Sequence, residues 1–290
     1  MCTISQNNQR NEPVEIYGPE GLRKFVCTSL SLSQSQLGFD YIVHEMKIIP
    51  EQRIFETSGA DLTWEVDLSC DDRLHPNEKL GKLIECDDQV VWHLFEDSKI
   101  DVKAVWLKHR IPSYGFVVNE KPLTGKLDPK LLEAKGIPKG PLYSKIKAGE
   151  TITSPSGEQI RPEDVLGSPR PGRKIIISGD TSYSDEFLKI GCGADVLVHE
   201  ATLQNSMKDT ALQNGHSTPD MAADIACRLN VDKLVLTHFS QRYRPIDSTV
   251  ERNNREDSVQ TLLDEAVSVM GKDKVIAAYD LLTLKIPLKS

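Results

Sequence analysis

The sequence lacks several features that would place it in a membrane or outside the cell. None of its apolar runs reaches membrane-spanning length, and the N-terminus resembles neither a secretion signal nor an Arg-rich transit peptide. The six cysteines form no CxxC pair, so we expect free thiols that pack as small apolar groups in a reducing compartment. Internal repeats and low-complexity tracts are absent as well. These absences favour a globular protein of the cytoplasm or the nucleus, or both, with no membrane partner.

Basic residues are also in deficit, since 43 Asp and Glu face 35 Lys and Arg and give a net charge of −8. This balance argues against a protein coated in positive charge for non-specific nucleic-acid binding. It does not exclude an enzyme that binds nucleic acid locally, because a bound divalent metal and a basic patch can overcome an acidic average. The 290 residues, 39% hydrophobic and 27% charged, suit one large α/β domain or two modest ones.

Periodicity along the chain predicts an α/β layered protein. Helices are expected over 20–32, 218–229 and 256–270. The first should present Leu22, Phe25, Val26, Ser29 and Leu30 on one face. Ser217 or Thr218 should cap the second. Strands are expected over 14–18, 39–46, 63–68, 90–95, 100–108, 114–119, 174–178, 196–200, 233–237, 275–279 and 282–287.

Two stretches do not show this regular periodicity of helices and strands. Residues 47–99 show a weak pattern among acidic turns and predict variable surface hairpins. Residues 125–165 are rich in Gly, Pro and Lys, contain the segment Gly140-Pro141-Leu142-Tyr143, and include a hairpin-like turn at 154–157. We interpret 125–165 as a protruding arm.

Potential metal ligands follow several of the predicted strands. His109, Asp180 and His238 each lie at a strand end, and a further strand ends at His199-Glu200. Because loops at the carboxyl ends of strands converge on one edge of an α/β sheet, we expect these residues to meet there. Imidazole and carboxylate groups are usual zinc donors, and a carboxylate such as Asp180 can bridge two ions. Each residue taken singly is more often an ordinary turn residue, so the hypothesis depends on their combination.

Five segments together resemble one family. They are HRIPSYGFVV at 109–118, SGDT at 178–181, HEAT at 199–202, GHSTP at 215–219 and THFSQRY at 237–243. In this order they resemble the motifs of the tRNase Z family, most closely of its short, ElaC-type zinc phosphodiesterases. The resemblance covers essentially the whole chain. It implies a single metallo-β-lactamase-like domain over 1–290, an αββα sandwich with the arm inserted in it.

The resemblance also implies roles for individual residues. It makes His109, Asp180 and His238 zinc ligands, with Asp180 bridging two ions per subunit in the complete enzyme. Glu200 and His216 correspond to an acid pair in which His216 protonates the departing ribose 3′-oxygen. By the same resemblance, Ser240 and Arg242 contact phosphates near the cut, and Gly140 and Pro141 belong to an arm that grips precursor tRNA. A homodimer is implied too.

One family motif, HxHxDH, does not occur in the sequence. His44, His75 and His93 are isolated and do not supply it. The opening residues 1–5 resemble the stretch that follows this motif, so we expect a chain truncated before it, with the leading strands of the sandwich missing. Such a chain should bind zinc poorly and fold with difficulty.

Three functions follow as hypotheses. The first is a zinc-dependent endoribonuclease that removes 3′ trailers from tRNA precursors and leaves a 3′-hydroxyl. The second is a non-catalytic truncated isoform that keeps the tRNA-binding or dimer surface. The third, another metallo-β-lactamase-fold hydrolase acting on thioesters or sulfate esters, leaves the HEAT, GHST and SQRY segments unexplained.

Overall fold

The computed structural model describes residues 12–52, 75–246 and 258–289. Within them the strands, in chain order, are β1 (Val14–Pro19), β2 (Tyr41–Met46), β3 (Glu78–Lys79), β4 (Leu83–Ile84), β5 (Val91–Glu96), β6 (Ile100–Leu107), β7 (Ser113–Glu120), β8 (Ile152–Thr153), β9 (Gln159–Ile160), β10 (Lys174–Ile177), β11 (Val196–Glu200), β12 (Lys233–Thr237) and β13 (Val275–Ala277). The helices are α1 (Leu22–Leu32), α2 (Pro129–Ala134), α3 (Pro141–Lys147), α4 (Pro162–Val165), α5 (Lys208–Gln213), α6 (Pro219–Arg228) and α7 (Val259–Met270). None of these helices has the length and apolar character that crossing a membrane requires.

The described residues fall into two compact units. The larger takes in the chain up to Glu96, then Val102–Val118 and Lys174–Thr283. The smaller consists of Asp97–Asp101, Asn119–Arg173 and the residues from Leu284 onward. All five predicted catalytic and metal-binding residues belong to the larger unit, and the predicted arm belongs to the smaller one.

A parallel sheet of four strands forms the first part of the larger unit. β1 and β2 pair in parallel, and α1 makes the crossover between them. α1 buries the neighbours Val26 and Cys27, and Leu30 one turn further along the same side. The prediction that Phe25 and Ser29 share this buried face is wrong, because both are exposed, Phe25 by 70%, while Cys27 is buried.

The prediction of surface hairpins over 47–99 is also wrong where the structure describes this stretch. β3 and β4 both pair in parallel with β2 and complete the first sheet. Each is only two residues long, too short to leave a period in the sequence. The strand predicted near 90–95 exists as β5, whereas the strand predicted over 63–68 lies outside the described residues.

The second sheet of the larger unit carries the site. Its strands lie in the order β13-β12-β11-β10-β7-β6-β5. The four strands from β10 to β13 pair in parallel, so their carboxyl ends meet at one edge. α6 and α7 pack together and contribute Ala222, Ile225 and Ala266 to the core of this sheet. The prediction of a strand over 282–287 is wrong, because these residues join no ladder among the described residues.

Residues 125–165 are folded and form most of the smaller unit. β8 and β9 form the antiparallel hairpin predicted at 154–157, and α2, α3 and α4 lie around it in the chain. Two antiparallel bridges, Leu123 with Arg170 and Leu127 with Leu166, join the two ends of the segment. A separate apolar core holds it together and consists of Leu132, Ile137, Ile146, Ile152, Ile160 and Val165.

Candidate metal and acid–base site

The structure brings the predicted ligands together at the carboxyl edge of the second sheet. The His238 Nε2 atom lies 3.4 Å from Asp180 Oδ1. The ring of His216 lies between the other two imidazoles, with its centroid 5.0 Å from that of His109 and 5.2 Å from that of His238. Glu200, at the end of β11, accepts a hydrogen bond from His216. Residues from five separate parts of the sequence thus form one cluster.

His109 is oriented by the backbone that precedes His216. Its Nδ1 atom lies 2.8 Å from the carbonyl oxygen of Gly215. A carbonyl only accepts, so Nδ1 carries the proton and Nε2 keeps a free lone pair. Gly215 has φ +78, and a Cβ atom there would lie 2.7 Å from His109 Nδ1. Glycine is therefore required at this position both for the backbone conformation and for the close approach.

Asp180 is placed by contacts of its own backbone and of its neighbours. The Ser113 hydroxyl donates to the Asp180 carbonyl oxygen at 2.8 Å, and the Gly179 N–H donates to the Tyr114 carbonyl at 3.2 Å. A Cβ atom on Gly179 would come within 2.8 Å of that same carbonyl oxygen. Among the described residues, His238 lies within ion-pair distance of the carboxylate, His109 and His216 lie near it, and 38% of the Asp180 side chain is exposed.

His238 follows β12 with a left-handed backbone, φ +57, which costs a non-glycine residue about 1 kcal/mol or more. Its Nδ1 atom lies 2.9 Å from the Thr202 hydroxyl, and Nε2 is the nitrogen directed at Asp180. Strain of this kind persists only where the surroundings fix the conformation. It places the imidazole at the sheet edge, 47% exposed.

Glu200 is almost fully buried, at 1% exposure, and accepts four hydrogen bonds. Oε1 accepts from the Thr181 N–H at 2.7 Å and from His216 Nδ1 at 3.0 Å. Oε2 accepts from the Thr202 hydroxyl at 2.6 Å and from the Ser217 N–H at 3.0 Å. Burial by itself raises the pKa of the Glu200 carboxyl, but these donors, His216 first among them, more than compensate and hold the pKa below its ordinary value.

His216 responds in the opposite direction. The hydrogen bond to Glu200 raises the pKa of the His216 imidazole above its ordinary value, although burial works against this rise. Because Nδ1 donates to the carboxylate, Nε2 is the nitrogen left for a reacting group. A histidine held in this way by a buried carboxylate is suited to hold and deliver a proton.

The donors present fit a zinc site. Among the described residues two groups could hold an ion: His109, Asp180 and His216, or Glu200, His216 and His238. The second group is poorly suited, because the four hydrogen bonds to Glu200 use all the lone pairs that a carboxylate offers. His216 has one nitrogen committed to Glu200 and, like His109, keeps its other nitrogen free. His109, Asp180 and His238, the three ligands predicted from the sequence, do not form a group by themselves among the described residues, so that ligand set stays a prediction.

The remaining predicted residues are spread more widely. Ser240 lies close to the cluster, since its N–H donates to the Thr202 carbonyl at 3.1 Å. Arg242 is exposed, and Gly140 and Pro141 are exposed residues at the start of α3. Thr202 and Gly215 occur within segments noted in the sequence, yet sequence reasoning assigned no role to either. Thr202 contacts Glu200, two residues before it, and His238, 36 positions further on, whereas Gly215 contacts His109, 106 positions before it.

Imidazole and carboxylate donors at strand ends of an α/β fold, beside a buried carboxylate–histidine pair, define the class as a metal-dependent hydrolase. In a scan against models of protein families the chain matches none. Zinc phosphodiesterase ELAC protein 1 of Homo sapiens is 40% identical over 295 residues, which cover 100% of this chain and 79% of the relative. Ribonuclease Z of Prochlorococcus marinus is 32% identical over 273 residues, or 94% of this chain and 72% of the relative.

A solved structure agrees with these relatives. The crystal structure of the short form of human tRNase Z (ELAC1) superposes with a TM-score of 0.58 at 31% identity, covering 99% of this chain and 71% of that one. The chain belongs to the ribonuclease Z family. The resemblance and the fold class predicted from the sequence are thereby confirmed.

Proposed function

We propose that this chain is a zinc-dependent phosphodiesterase of the tRNA-processing type, an endoribonuclease that removes 3′ trailers from tRNA precursors and leaves a 3′-hydroxyl. The names of its relatives, zinc phosphodiesterase and ribonuclease Z, support the reaction class. The observation that best supports the proposal is that possible metal donors on His109, Asp180 and His238 lie close to the Glu200–His216 pair.

Two zinc ions per subunit, with Asp180 as the bridging ligand, are part of the proposal. His109 and His238 would each give one nitrogen, and the Asp180 carboxylate has an oxygen for each ion. When bound, such ions supply an activated water and stabilise negative charge on a phosphodiester. The chain's own contribution is to hold the imidazole proton on the nitrogen that faces away from the ion, as Gly215 does for His109, so that the other nitrogen can bind the ion.

The Glu200–His216 pair supplies the proton for the leaving group. Cleavage on the 3′ side of a nucleotide expels the ribose 3′-oxygen, which needs a proton as the P–O bond breaks. His216 holds one on its free Nε2 side when charged, and Glu200 stabilises that charge and fixes the ring. The buried carboxylate keeps its own charge because of its four donors.

Substrate contacts lie in two places within the proposal. Ser240 and Arg242 would contact phosphates close to the cut, where a planar guanidinium suits phosphate oxygens. The second place is the arm at Gly140 and Pro141, which we assign to precursor tRNA. Support comes from charge: residues 135–147 contain four lysines and no acidic residue, although the whole chain has a net charge of −8.

A second candidate is a non-catalytic protein that binds tRNA. It is favoured by one observation, the absence of an HxHxDH motif from the 290 residues. One experiment separates the two candidates. A labelled tRNA precursor with a 3′ trailer is incubated with zinc and either the 290-residue chain or an extended chain, in which an HxHxDH-bearing segment of the human relative precedes it.

Cleavage at the trailer junction by the 290-residue chain supports the endoribonuclease. Binding of the precursor by the 290-residue chain without cleavage, while the extended chain cleaves it, supports the non-catalytic alternative. If a folded extended chain neither bound nor cleaved the precursor, both candidates would be contradicted.

We also propose that the chain forms a homodimer, in which the arm of one subunit holds a tRNA that the other subunit cuts. We further propose that the protein is located in the cytoplasm, the nucleus or both. Closed two-fold assemblies are the commonest arrangement for sharing of this kind. Sedimentation at several protein concentrations tests the dimer, and a monomer at every concentration would contradict it. Imaging of a tagged chain in cells tests the location.

A further inference from the structure

We infer that Thr202 is a positioning residue that couples the metal donor His238 to the acid pair Glu200–His216 through its single hydroxyl group. Its Oγ1 atom lies 2.6 Å from Glu200 Oε2 and 2.9 Å from His238 Nδ1. It also lies 3.0 Å from the His238 carbonyl oxygen. The inference rests on the proposed function, because it assigns a role within the same site.

The location of one proton determines how this contact works. A threonine hydroxyl has a single hydrogen to donate and can accept with its lone pairs. The shortest contact, and the only one to a carboxylate, is that to Glu200 Oε2, and hydrogen bonds to charged acceptors are the strongest. The hydroxyl therefore donates to Glu200, and the His238 carbonyl oxygen at 3.0 Å can only share that same hydrogen as the weaker acceptor. Its oxygen must then accept at His238 Nδ1, because two acceptors at 2.9 Å would repel each other.

The consequence is a defined tautomer of His238. With the proton on Nδ1, the free lone pair is on Nε2, the nitrogen that faces Asp180 at 3.4 Å. Gly215 does the same for His109 through a backbone carbonyl. Thr202 differs because its hydroxyl also orients Glu200. The result is a continuous chain of hydrogen bonds from His238 through Thr202 and Glu200 to His216.

The backbone of Thr202 is held in place as well. Its N–H donates to the Ser217 carbonyl at 3.0 Å, and its carbonyl accepts from the Ser240 N–H at 3.1 Å. The residue is buried. Since both neighbours belong to loops that carry site residues, the hydroxyl is fixed relative to His216 on one side and His238 on the other.

The test uses the 290-residue chain and three substitutions. Thr202→Val keeps the shape of the side chain and removes the hydroxyl, while Thr202→Ser keeps the hydroxyl. Thr218→Val is the matched control: Thr218 is also fully buried, in the same loop region, but its hydroxyl has no hydrogen-bond partner among the described residues. Losing an unpaired buried hydroxyl should be neutral or mildly stabilising.

Two quantities are measured. The first is the tautomer of His238, from the ¹⁵N chemical shifts of its ring nitrogens in the metal-free chain in alkaline buffer, where imidazoles are neutral. The second is the zinc affinity, from competition with a chromophoric chelator. Thr202→Val should move the His238 proton from Nδ1 toward Nε2 and lower the zinc affinity by about 10–100-fold, the usual loss for a residue that orients a metal ligand. Thr202→Ser and Thr218→Val should match the parent chain in both.

Unchanged tautomer and unchanged affinity in a folded Thr202→Val would overturn the inference, and so would a folded Thr202→Ser that behaves like Thr202→Val. If Thr202→Val does not fold, Thr202→Ala removes the same hydroxyl without adding a methyl group to the acid pair, and the same two results apply to it. The tautomer is read without metal and without substrate. Failure of this inference is therefore distinguishable from failure of the proposed function, which cleavage alone decides.

Discussion

The Nδ1 atom of His109 and the carbonyl oxygen of Gly215 lie 2.8 Å apart, although 106 positions separate the two residues in the sequence. Gly215→Ala should therefore displace His109, because the new Cβ atom would lie 2.7 Å from that Nδ1 atom. We expect zinc affinity to fall by about 10–100-fold. Chelator competition measures the change.

The control for this substitution is Gly193→Ala. Gly193 has a similar left-handed backbone, φ +71, but a Cβ atom there has nothing within 4 Å. Both substitutions should lower the free energy of unfolding by roughly 1 kcal/mol through backbone strain. Only Gly215→Ala should lose zinc. Equal zinc affinity in the two variants would show that His109 does not depend on Gly215.

Asp180 and His216 should differ in what their loss removes. In the extended chain, Asp180→Ala should abolish both zinc binding and cleavage, because the bridging carboxylate of the proposal would serve both ions. His216→Ala should keep its zinc and lose cleavage by roughly 10²–10⁴-fold, as expected for a missing general acid. Zinc content by elemental analysis and single-turnover cleavage rates make the comparison.

This comparison also tests the geometry. His216 lies close enough to His109 and Asp180 to be counted with them as a possible ligand. If His216→Ala lost zinc as Asp180→Ala does, His216 would be a ligand and its assignment as the acid would be wrong.

The pair of Glu200 and His216 predicts a pH dependence of stability in the metal-free chain. The pKa of His216 is raised by its bond to Glu200, so its contribution is complete below the ordinary value of 6.5 and disappears as pH rises through the raised pKa. The pKa of Glu200 is lowered, so its contribution is present above the ordinary value of 4.5 and disappears as pH falls through the lowered pKa. Stabilisation by the pair is therefore greatest between about 4.5 and 6.5.

Urea unfolding at several pH values measures this effect. His216→Gln should cost roughly 1.5–3 kcal/mol within that window, the usual value for a hydrogen bond between charged groups, and less at higher pH. His93→Gln is the control, since His93 and Asp87 form an exposed pair that should contribute under about 1 kcal/mol. A cost for His216→Gln that does not change with pH would contradict the charged pair.

The arm predicts a charge effect on tRNA binding. Deleting residues 140–144 would remove the start of α3, where Leu142 and Tyr143 pack against the arm's own core, and would unfold the segment. Lys145→Gln with Lys147→Gln is a cleaner change, because both side chains are exposed. Binding of tRNA should weaken, and the slope of log K against log salt should fall by about 0.7–0.9 for each phosphate that the variant no longer neutralises.

Lys272→Gln with Lys274→Gln is the matched control, an exposed pair with the same spacing outside the arm. Hydrolysis of a small nitrophenyl phosphodiester by the extended chain should be unchanged in both double variants, because a small ester makes no use of a remote grip. Equal tRNA binding by the two double variants would show that the arm is not part of the substrate site.

Much of the fold could be read from the sequence because it depends on local patterns. The strands Val196–Glu200 and Lys233–Thr237 begin and end where alternation and apolar runs place them. The candidate ligands His109, Asp180 and His238 stood out because each follows such a strand. A metal-ligating residue type directly after a predicted strand can be recognised from a single sequence.

Tertiary structure alone decided the rest. Two-residue strands such as Glu78–Lys79 have no period of their own and exist only because Tyr41 and Ile42 offer a pairing edge. The folded arm depends on a small core whose members are scattered over 132–165. Likewise, nothing local to Thr202 or Gly215 indicates which imidazole each one orients. Those roles follow from donors and acceptors brought within about 3 Å by distant parts of the chain, and the energy of a hydrogen bond depends on that distance and not on separation in sequence.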